Sequence, residues 1–405
     1  MKELKIVIGK NFGDEGKGAA TDRLCLGQNA LVVRHNGGAQ AGHTVEREQF
    51  RFVFHQLGSG SLHGCPTYWS RTFLPDLLKL GDEMELLHCM TKTLPVKIPD
   101  FLYAHPSCAC VTVYDVLLNS LREQLRGKDR HGSCGMGIFE TVLRTGRQIY
   151  ALNLHDFEKA DFDAILSKLR SIRDNDTVVQ LKTLQEKYPG QFNNPDIRIW
   201  SDLIQNENVL YNSAAKMWEN YKKYVVLSDW PQLSAQYDNI VFENAQGLML
   251  DWDNEEYSPH LTASHTGLKN VAVLLREIGY TNVHAEVFYV TRAYVTRHGA
   301  GRLDHECAKE NINPYMRDLT NVPNPWQGSL RYARHPAGND FFRYIRHDLT
   351  HLPRDFCPAV SLLVTHLDET DGRILFADRE RSLKNLVNYC QEQAPGLFRH
   401  ILSQV

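Results

Sequence analysis

A short apolar run that ends in glycine and leads into a glycine-rich turn constrains this chain most. Residues 5–9 read KIVIG, and residues 9–18 read GKNFGDEGKG. The first run is typical of a buried strand, and a polar helical stretch separates it from a second apolar run at residues 31–33. This order predicts a strand–helix–strand unit with an anion-binding turn between the first strand and the helix.

Further apolar runs and helical patterns continue along the chain. Strand-like runs lie at residues 240–242, 285–290 and 360–364, and helical patterns lie at 163–173 and 266–278. Strands that alternate with helices predict an α/β fold, in which helices cover both faces of a large, mostly parallel sheet. Residues 157–224 are charged and have little strand character, so we expect a helical insertion there, within one elaborated domain over residues 1–405.

Composition excludes several classes of function. The chain has 405 residues, 42% of them hydrophobic, and a formal net charge of −3. It has no Lys/Arg block interleaved with aromatic residues, so nucleic acid is not an expected partner. The first ten residues hold no apolar run of signal-peptide or membrane-span length, so we expect a cytoplasmic protein that does not bind membranes. Nine cysteines without Cys-x-x-Cys spacing indicate free thiols rather than a zinc site.

The glycine-rich turn has the chemistry of a phosphate site. Gly13, Gly16 and Gly18 allow backbone N–H groups to approach phosphate oxygens, and the start of a helix favours an anion. Lys17 adds a positive charge. The turn is longer than a standard phosphate loop, and Gly18 stands where Ser or Thr would bind magnesium. We therefore expect a variant, P-loop-like nucleotide-binding turn.

Two carboxylates inside this turn are unusual for an anion site. Asp14 and Glu15 would repel a phosphate unless a metal ion or a transferable proton were present. One interpretation is that they only shape the turn and cap the helix. The interpretation that we favour makes a carboxylate a base or a magnesium ligand.

A second glycine-rich turn follows the second strand, at residues 34–44 (RHNGGAQAGHT). In a parallel sheet both turns leave the same carboxyl edge, where ligands bind. His43 lies among small residues and is accessible to donate to a phosphoryl or purine oxygen. Alone it would be more typical of a structural histidine, but its pairing with the first turn favours a functional one.

At these two turns the chain resembles the adenylosuccinate synthetase family, whose signature is Gly-Asp-Glu-Gly-Lys-Gly followed by Asn-Ala-Gly-His-Thr. Residues 13–18 match the first part in full, and residues 41–44 match the second, with Gln40 in place of Asn. Further motifs of the family agree in order at residues 242–247, 250–251, 257–264 and 294–301. The resemblance extends from the start to about residue 371.

The resemblance implies a purine-nucleotide ligase that joins L-aspartate to C6 of a 6-oxopurine nucleotide such as IMP. The family moves the γ-phosphoryl group of a nucleoside triphosphate onto O6, and the amine of aspartate then displaces phosphate. By this resemblance Asp14 is the base at purine N1, His43 is the acid, and Lys17 assists. It also implies a Mg²⁺ ion held by Asp14 and the Gly42 carbonyl, GTP or ATP as phosphoryl donor, and a homodimer.

The resemblance also implies a set of binding residues. Gln246 would hydrogen-bond the purine, and Thr262 would bind the 5′-phosphate. The other residues expected to contact nucleotide or aspartate are Gly13, Glu15, Gly16, Gly18, Gln40, Thr44, Ser133, Cys134, Arg144, Arg147, Arg297, Asn321, Gln327, Arg331, Thr365, His366 and Asp368.

The chain departs from the family at its base-recognition segment and at its aspartate loop. Residues 364–368 read VTHLD, where Asp368 can accept from a guanine edge but His366 replaces the usual lysine, so both GTP and ATP stay open as donors. In residues 318–331 Arg331 alone can form a bidentate pair with a dicarboxylate, with Arg297 and Arg302 nearby in sequence.

A third departure lies at residues 131–138 (HGSCGMGI), where Met136 replaces an arginine of the family's phosphate loop. Ser133 and backbone amides are the alternatives for holding the 5′-phosphate there, with Arg144 or Arg147 as substitutes; a purely structural helix start is the other interpretation.

These departures leave two substrates open. A branch of the family associated with bacteriophages adds aspartate to dGMP, often with serine in place of the loop aspartate. Asp14 favours IMP, whereas the altered loops favour (d)GMP. An inactive nucleotide-binding regulator would be expected to lose Asp14 and His43 before its glycines, and both are present. A GTPase switch would need a glutamine that positions water, and the sequence shows no such pattern.

Overall fold

The structure is a computed structural model that describes residues 1–47, 50–127, 130, 132–279, 283–316 and 328–404. In these residues the strands are β1 (Lys2–Gly9), β2 (Ala30–Arg34), β3 (His43–Arg47), β4 (Phe50–Phe54), β5 (Thr67–Trp69), β6 (Leu102–Ala104), β7 (Val225–Leu227), β8 (Asn239–Gly247), β9 (Val283–Arg292), β10 (Val295–Arg297), β11 (Glu306–Cys307), β12 (Arg331–Ala333), β13 (Ala359–Thr365), β14 (Arg373–Leu375), β15 (Glu380–Ser382) and β16 (His400–Ser403). The α-helices are α1 (Lys17–Cys25), α2 (Leu77–Thr91), α3 (Val113–Arg126), α4 (Ile138–Gly146), α5 (Leu154–Lys159), α6 (Phe162–Ile172), α7 (Val178–Lys187), α8 (Pro195–Gln205), α9 (Glu207–Tyr224), α10 (Trp230–Ser234), α11 (Leu268–Ile278), α12 (Arg343–Leu349) and α13 (Leu383–Gln393).

A large parallel sheet forms the centre of the fold. Within the described ranges nine strands form it in the order β16-β13-β9-β1-β8-β2-β5-β6-β7, and their neighbouring pairs are parallel. The α/β class predicted from the sequence is confirmed. The apolar runs at 5–9, 31–33, 240–242, 285–290 and 360–364 lie in β1, β2, β8, β9 and β13.

Side-chain alternation along β1 explains why helices cover both faces of the sheet. Ile6 and Ile8 belong to one core cluster, which also contains Leu268 and Leu275 of α11. Val7, between them, belongs to another cluster that contains Ala20 of α1. Successive residues of a strand point to opposite faces, so an almost continuous apolar run needs cover on both sides.

A helical layer lies beside the end of the sheet formed by β5, β6 and β7. Residues 157–224, all of which are described, contain helices and no strand. Their apolar residues join a core cluster that also includes α2 and α3. In the contact between α2 and α9, Asn220 donates to the Leu77 carbonyl at 2.7 Å. In the described part of the chain no helix is both long enough and apolar enough to cross a membrane.

Parallel strands bring the turns after β1 and β2 to one edge, and a glycine lets them touch. A Cβ atom on Gly18, in the first turn of α1, would lie 2.8 Å from the His43 carbonyl carbon and 2.9 Å from the Thr44 carbonyl oxygen. Such distances are shorter than van der Waals contact. The start of α1 therefore approaches the backbone of β3 as closely as it does because residue 18 has no side chain.

We predict that Gly18→Ala lowers the free energy of unfolding by about 1–3 kcal/mol, because the methyl group forces α1 away from β3. Urea unfolding followed by circular dichroism measures this. The matched control is Gly190→Ala, since a Cβ atom at Gly190 meets nothing within 4 Å; its effect should stay within about 0.5 kcal/mol. Equal effects of the two substitutions would contradict the close approach.

Candidate functional site

The turn after β1 is organised around the carboxylate of Glu15. Its Oε1 atom accepts from the backbone N–H of Asn11 at 2.6 Å and from that of Gly13 at 3.3 Å. Its Oε2 atom lies 3.2 Å from Lys17 Nζ, and both side chains are buried. Glu15 therefore points into the turn and balances the charge of Lys17, at the start of α1 after Gly16.

Asp14 is the carboxylate of this turn that reaches solvent. Its backbone has a φ of 60°, in the left-handed region that L-residues adopt less readily. Its carbonyl accepts from Arg292 Nε, which fixes the backbone. The side chain is 28% exposed, and Oδ2 lies 3.4 Å from His298 Nε2. The turn thus presents one carboxylate outward and keeps the other inside.

The second turn contributes a buried histidine paired with a buried carboxylate. His43 Nδ1 lies 2.7 Å from Glu243 Oε1. Glu243 also accepts from the Ser59 N–H at 2.9 Å and from the Ser59 hydroxyl, and Arg34 lies 3.9 Å from it. His43 Nε2 is buried and lacks a hydrogen-bond partner among the described residues. The pair therefore fixes the ring through Nδ1 and leaves Nε2 for a ligand.

Burial and charge determine the protonation of this pair. Burial lowers the pKa of His43 to about 4, against the attraction of Glu243. Burial also acts to raise the pKa of Glu243, but His43, Arg34 and the Ser59 hydrogen bonds outweigh it and hold that pKa at about 2. Near neutral pH the pair is thus a carboxylate and a neutral imidazole. An anionic phosphoryl group near Nε2 would raise the pKa of His43 and favour the protonated ring, in which Nε2 is a hydrogen-bond donor.

The end of β8 lies against the first turn, and the second turn carries a buried amide side chain. Gln246 has a φ of 65°, and a Cβ atom on Gly13 would lie 3.5 Å from its Cα. Gln40 approaches from the second turn: a Cβ atom on Gly37 would lie 3.0 Å from Gln40 Nε2. The Gln40 amide N and O atoms are buried and have no hydrogen-bond partner within the described ranges. An unpartnered buried amide is costly, so Gln40 is suited to a polar ligand.

The segment after β13 touches the first turn. Thr365 Oγ1 donates to the Glu15 carbonyl at 2.9 Å, and a Cβ atom on Gly16 would lie 3.2 Å from the Thr365 side chain. His366 Nδ1 lies 2.8 Å from Thr365 Oγ1. Asp368 is exposed. This segment is therefore adjacent to the first turn.

The loop before α4 is held by acidic and amide side chains of α3. The N–H groups of Gly132 and Ser133 donate to Glu123 Oε2 at 3.1 Å and 3.4 Å, and the Ser133 hydroxyl donates to Asn119 at 2.9 Å. Cys134 is partly buried beside them. These hydrogen bonds already use the Ser133 groups that the sequence suggested for a phosphate.

Arg144 and Arg147 are each paired within the protein. Arg144 is buried, and its Nη2 lies 2.8 Å from Asp115 Oδ2 while also donating to the Cys110 carbonyl at 2.7 Å. Arg147 lies 2.7 Å from Asp176 and is partly exposed. Both remain predictions as phosphate ligands, and in this conformation Arg147 is the more accessible.

The arginines of the 297–331 region pack together. Arg297 is buried and donates to the His260 carbonyl at 2.9 Å. Burial and the neighbouring Arg331 lower the pKa of Arg297 to about 10. Arg331 binds Glu306 through Nε at 2.8 Å and donates to the Gly301 carbonyl at 2.7 Å. An incoming dicarboxylate would therefore have to compete with Glu306.

Three further residues, Thr262, Asn321 and Gln327, were predicted to bind substrate. Thr262 donates its N–H to the Leu250 carbonyl at 3.0 Å and is partly buried. Asn321 and Gln327 lie outside the described residues.

The oxygen ligands predicted for magnesium have suitable chemistry. Asp14 offers a partly exposed carboxylate, and Gly42 is an exposed residue whose added Cβ would meet Val53 at 3.3 Å. Carboxylate and carbonyl oxygens are ligands that Mg²⁺ accepts together with water and phosphate. Asp251, Asp253 and His265 form a separate group with ligand atoms within 4.8 Å of one another. There Asp253 pairs with Lys269, so internal contacts already occupy that group.

Sequence reasoning missed several residues that shape the site. Glu243 was part of the quoted motif at 242–247, and β8 pairs it with Arg34 of β2. Opposite charges at paired positions of two apolar, neighbouring strands could have indicated a buried ion pair. His298 was part of the motif at 294–301, but no sequence signal placed it beside Asp14. Arg292 contacts the Asp14 backbone from the end of β9.

A cavity of about 430 Å³ lies away from these turns, at the start of β13. Its lining is largely apolar, with Leu352, Phe356, Val360 and Leu397, and Arg399 at one side. Because it lies at the amino end of a strand whose carboxyl end faces the phosphate turn, it is separate from the site described above.

Sequence comparisons point to one family. A model of the adenylosuccinate synthetase family matches residues 6–321. The adenylosuccinate synthetase of Picrophilus torridus is 28% identical over 316 residues, which cover 76% of this chain and 66% of that protein. The enzyme of the same name from Thioalkalivibrio sulfidiphilus is 32% identical over 312 residues, which cover 74% and 64%. The matched part thus spans about two thirds of each relative's length.

Solved structures show the same fold. The fully ligated adenylosuccinate synthetase of Plasmodium falciparum has a TM-score of 0.64 and 18% identity, covering 92% of this chain and 79% of that one. The succinoaminodeoxyadenylate synthetase of cyanophage S-2L, bound to dGMP and to dATP as energy donor, has a TM-score of 0.56 and 15% identity, covering 99% and 91%.

We predict that Glu243→Gln lowers the free energy of unfolding at pH 7 by about 3 kcal/mol, since each unit of pKa shift corresponds to about 1.4 kcal/mol. The pKa of Glu243 is depressed from 4.5 to about 2, so its stabilisation is complete above pH 4.5 and is lost as the pH falls towards 2. Urea unfolding between pH 7 and pH 3 should show the two proteins converging. Glu3→Gln, which disrupts the exposed pair with His284, is the control and should change stability by about 0.5 kcal/mol or less. A difference that grows on acidification would contradict the assignment.

Proposed function

Because the chain belongs to the adenylosuccinate synthetase family, we propose that it ligates L-aspartate to C6 of a 6-oxopurine nucleoside monophosphate, with IMP as substrate and adenylosuccinate as product. The observation that supports this most is the meeting of the two turns: an outward carboxylate, Asp14, and a buried His43–Glu243 pair both border the start of α1. A nucleoside triphosphate supplies the phosphoryl group and leaves as the diphosphate.

In the first step Asp14 removes the proton from purine N1, and the electron pair shifts onto O6. O6 then attacks the γ-phosphorus, and the bond from that phosphorus to the β,γ-bridging oxygen breaks. His43, held through Nδ1 by Glu243, is protonated when the phosphoryl anion raises its pKa, and it then donates from Nε2 to the bridging oxygen, which gains charge as this bond breaks. Each such proton transfer contributes roughly 10²–10⁴ in rate. Lys17 lies in the same helix start and stabilises phosphate charge.

In the second step the amine of aspartate attacks C6. The C6–O6 bond then breaks, and O6 leaves with the phosphoryl group as inorganic phosphate. As the C–N bond forms, the amine gives up a proton, which the departing phosphate accepts. Mg²⁺, when bound, offsets charge on the transferring phosphoryl group. Asp14 and the Gly42 carbonyl would hold it, because both offer hard oxygen atoms.

The phosphoryl donor in this proposal is GTP, with ATP as the alternative. The position of Thr365 against the phosphate turn supports a donor base at residues 365–368. Asp368 is suited to accept from the N1 and N2 donors of guanine.

We also propose a homodimer. Phe139, Leu143 and Ile149 are exposed on α4 and just after it, and the Trp252 ring lies 6.1 Å from Phe139. Apolar side chains grouped in this way support a subunit interface.

A second candidate is the same chemistry on (d)GMP. It is supported by the departure of the loop at 132–137 from the family's phosphate loop, where Met136 replaces an arginine and its sulfur lies 2.9 Å from Lys79 Nζ. The cyanophage relative of the fold was solved with dGMP, which makes this substrate worth direct comparison.

Purified protein, Mg²⁺, aspartate and either GTP or ATP should convert IMP to a succinyl-nucleotide detectable by mass spectrometry. The same assay with dIMP, GMP and dGMP identifies the substrate and the donor together. Asp14→Asn should lower turnover by about 10²-fold or more, with nucleotide binding retained, because the amide cannot take the N1 proton. Asp22→Asn, on the outer side of α1, is the control. Full turnover by Asp14→Asn would show that another group is the base.

Asp368→Asn should lower kcat/KM for GTP by roughly 10-fold or more and change kcat/KM for ATP little, because an amide cannot accept both guanine donors. Steady-state kinetics with each donor measures this. The nearby exposed Asp371→Asn is the matched control. An equal loss with both donors would indicate that Asp368 does not read the base.

A further inference from the structure

His298 lies beside the proposed base and was not among the residues expected at the site. Its Nε2 atom is 3.4 Å from Asp14 Oδ2, and its side chain is 18% exposed. It follows β10, in a loop that the structure fixes on both sides. Arg331 donates to the Gly299 and Gly301 carbonyls, and a Cβ atom on Gly132 would lie 3.1 Å from the Ala300 N atom.

The sheet order places the segments that hold the two histidines on opposite sides of β1. The turn that carries Asp14 follows β1, which lies between β9 and β8. His43 is held from the β8 side, through Glu243. His298 belongs to the β9 side, where Arg292 at the end of β9 also contacts the Asp14 carbonyl.

The reacting edge of a 6-oxopurine also has a central position with one group on each side. N1 lies between C6, which carries O6, and C2, which carries hydrogen in hypoxanthine and an amino group in guanine. With Asp14 at N1 and His43 at O6, the group on the other flank of Asp14 faces C2. That group is His298.

We propose that His298 positions the Asp14 carboxylate and, from the C2 side, makes the site prefer purines that have hydrogen at C2. This inference rests on the proposed function. His298 Nε2 faces Asp14 Oδ2 at 3.4 Å, which leaves Oδ1 for the proton on purine N1.

A 2-amino group disturbs this arrangement in either tautomer of His298. If Nε2 carries the proton, two donors face each other: Nε2–H and the amino group. If Nε2 carries no proton, it can accept from the amino group, but two acceptors then face each other: its lone pair and the Asp14 carboxylate. An unsatisfied polar group of this kind lowers a binding or rate constant by roughly 10- to 100-fold.

The test is the ratio of kcat/KM for IMP to kcat/KM for GMP, repeated with the deoxynucleotides. In the unaltered protein this ratio should be about 10-fold or more in favour of IMP. His298→Ala should lower kcat for IMP about 10-fold with KM nearly constant, and should reduce the ratio by a similar factor. His298→Gln, whose amide can donate from a similar position, should restore part of the kcat for IMP and part of the ratio.

His284→Ala is the control, since His284 also pairs with a carboxylate, that of Glu3, but at the amino end of β9. Two results would overturn the inference and leave the proposed function standing: a preference for GMP in the unaltered protein, or an unchanged ratio in His298→Ala. No succinyl product from any nucleotide would instead overturn the proposed function, and this inference with it.

Discussion

The close approach of α1 to the backbone of β3 is the contact on which the rest of the site depends. Gly18 allows the helix start to lie against His43 and Thr44, so the turns after β1 and β2 border the same space. The parallel sheet brings the two turns to one edge, but it leaves their separation undetermined. A side chain at residue 18 would separate the helix start from the histidine, and the chemistry requires them together.

Electrostatics then divide the roles of the polar groups. Glu15 and Lys17 form a buried ion pair within the first turn, which leaves Asp14 as its outward carboxylate. Glu243 keeps its charge in the core because His43, Arg34 and Ser59 surround it. The imidazole of His43 is therefore neutral near pH 7, with its proton on Nδ1. In the proposed mechanism Nε2 gains a proton when a phosphoryl anion arrives, which would connect substrate binding to the proton that the reaction needs.

Much of the fold could be predicted from the sequence, because apolar runs in β1, β8, β9 and β13 are long enough to be buried on both faces. The two turns and Asp14, Lys17 and His43 could also be located, since glycine spacing and resemblance mark them. The sequence could not show which way a side chain points. Glu15 and Asp14 are adjacent, yet one lies inside the turn and the other faces outward.

Contacts between distant segments were equally beyond the sequence. The pairing of Arg331 with Glu306 depends on a small antiparallel sheet of β10, β11 and β12. That pairing bears directly on how aspartate could bind, and no spacing rule would have revealed it.

In the proposed mechanism both turns act on one phosphoryl group, which moves onto purine O6. The most direct measurement uses substrate labelled with oxygen-18 at O6 and follows the label by mass spectrometry after ligation. The label should appear in inorganic phosphate, because O6 leaves C6 together with the phosphoryl group. Label in water, with unlabelled phosphate, would contradict it.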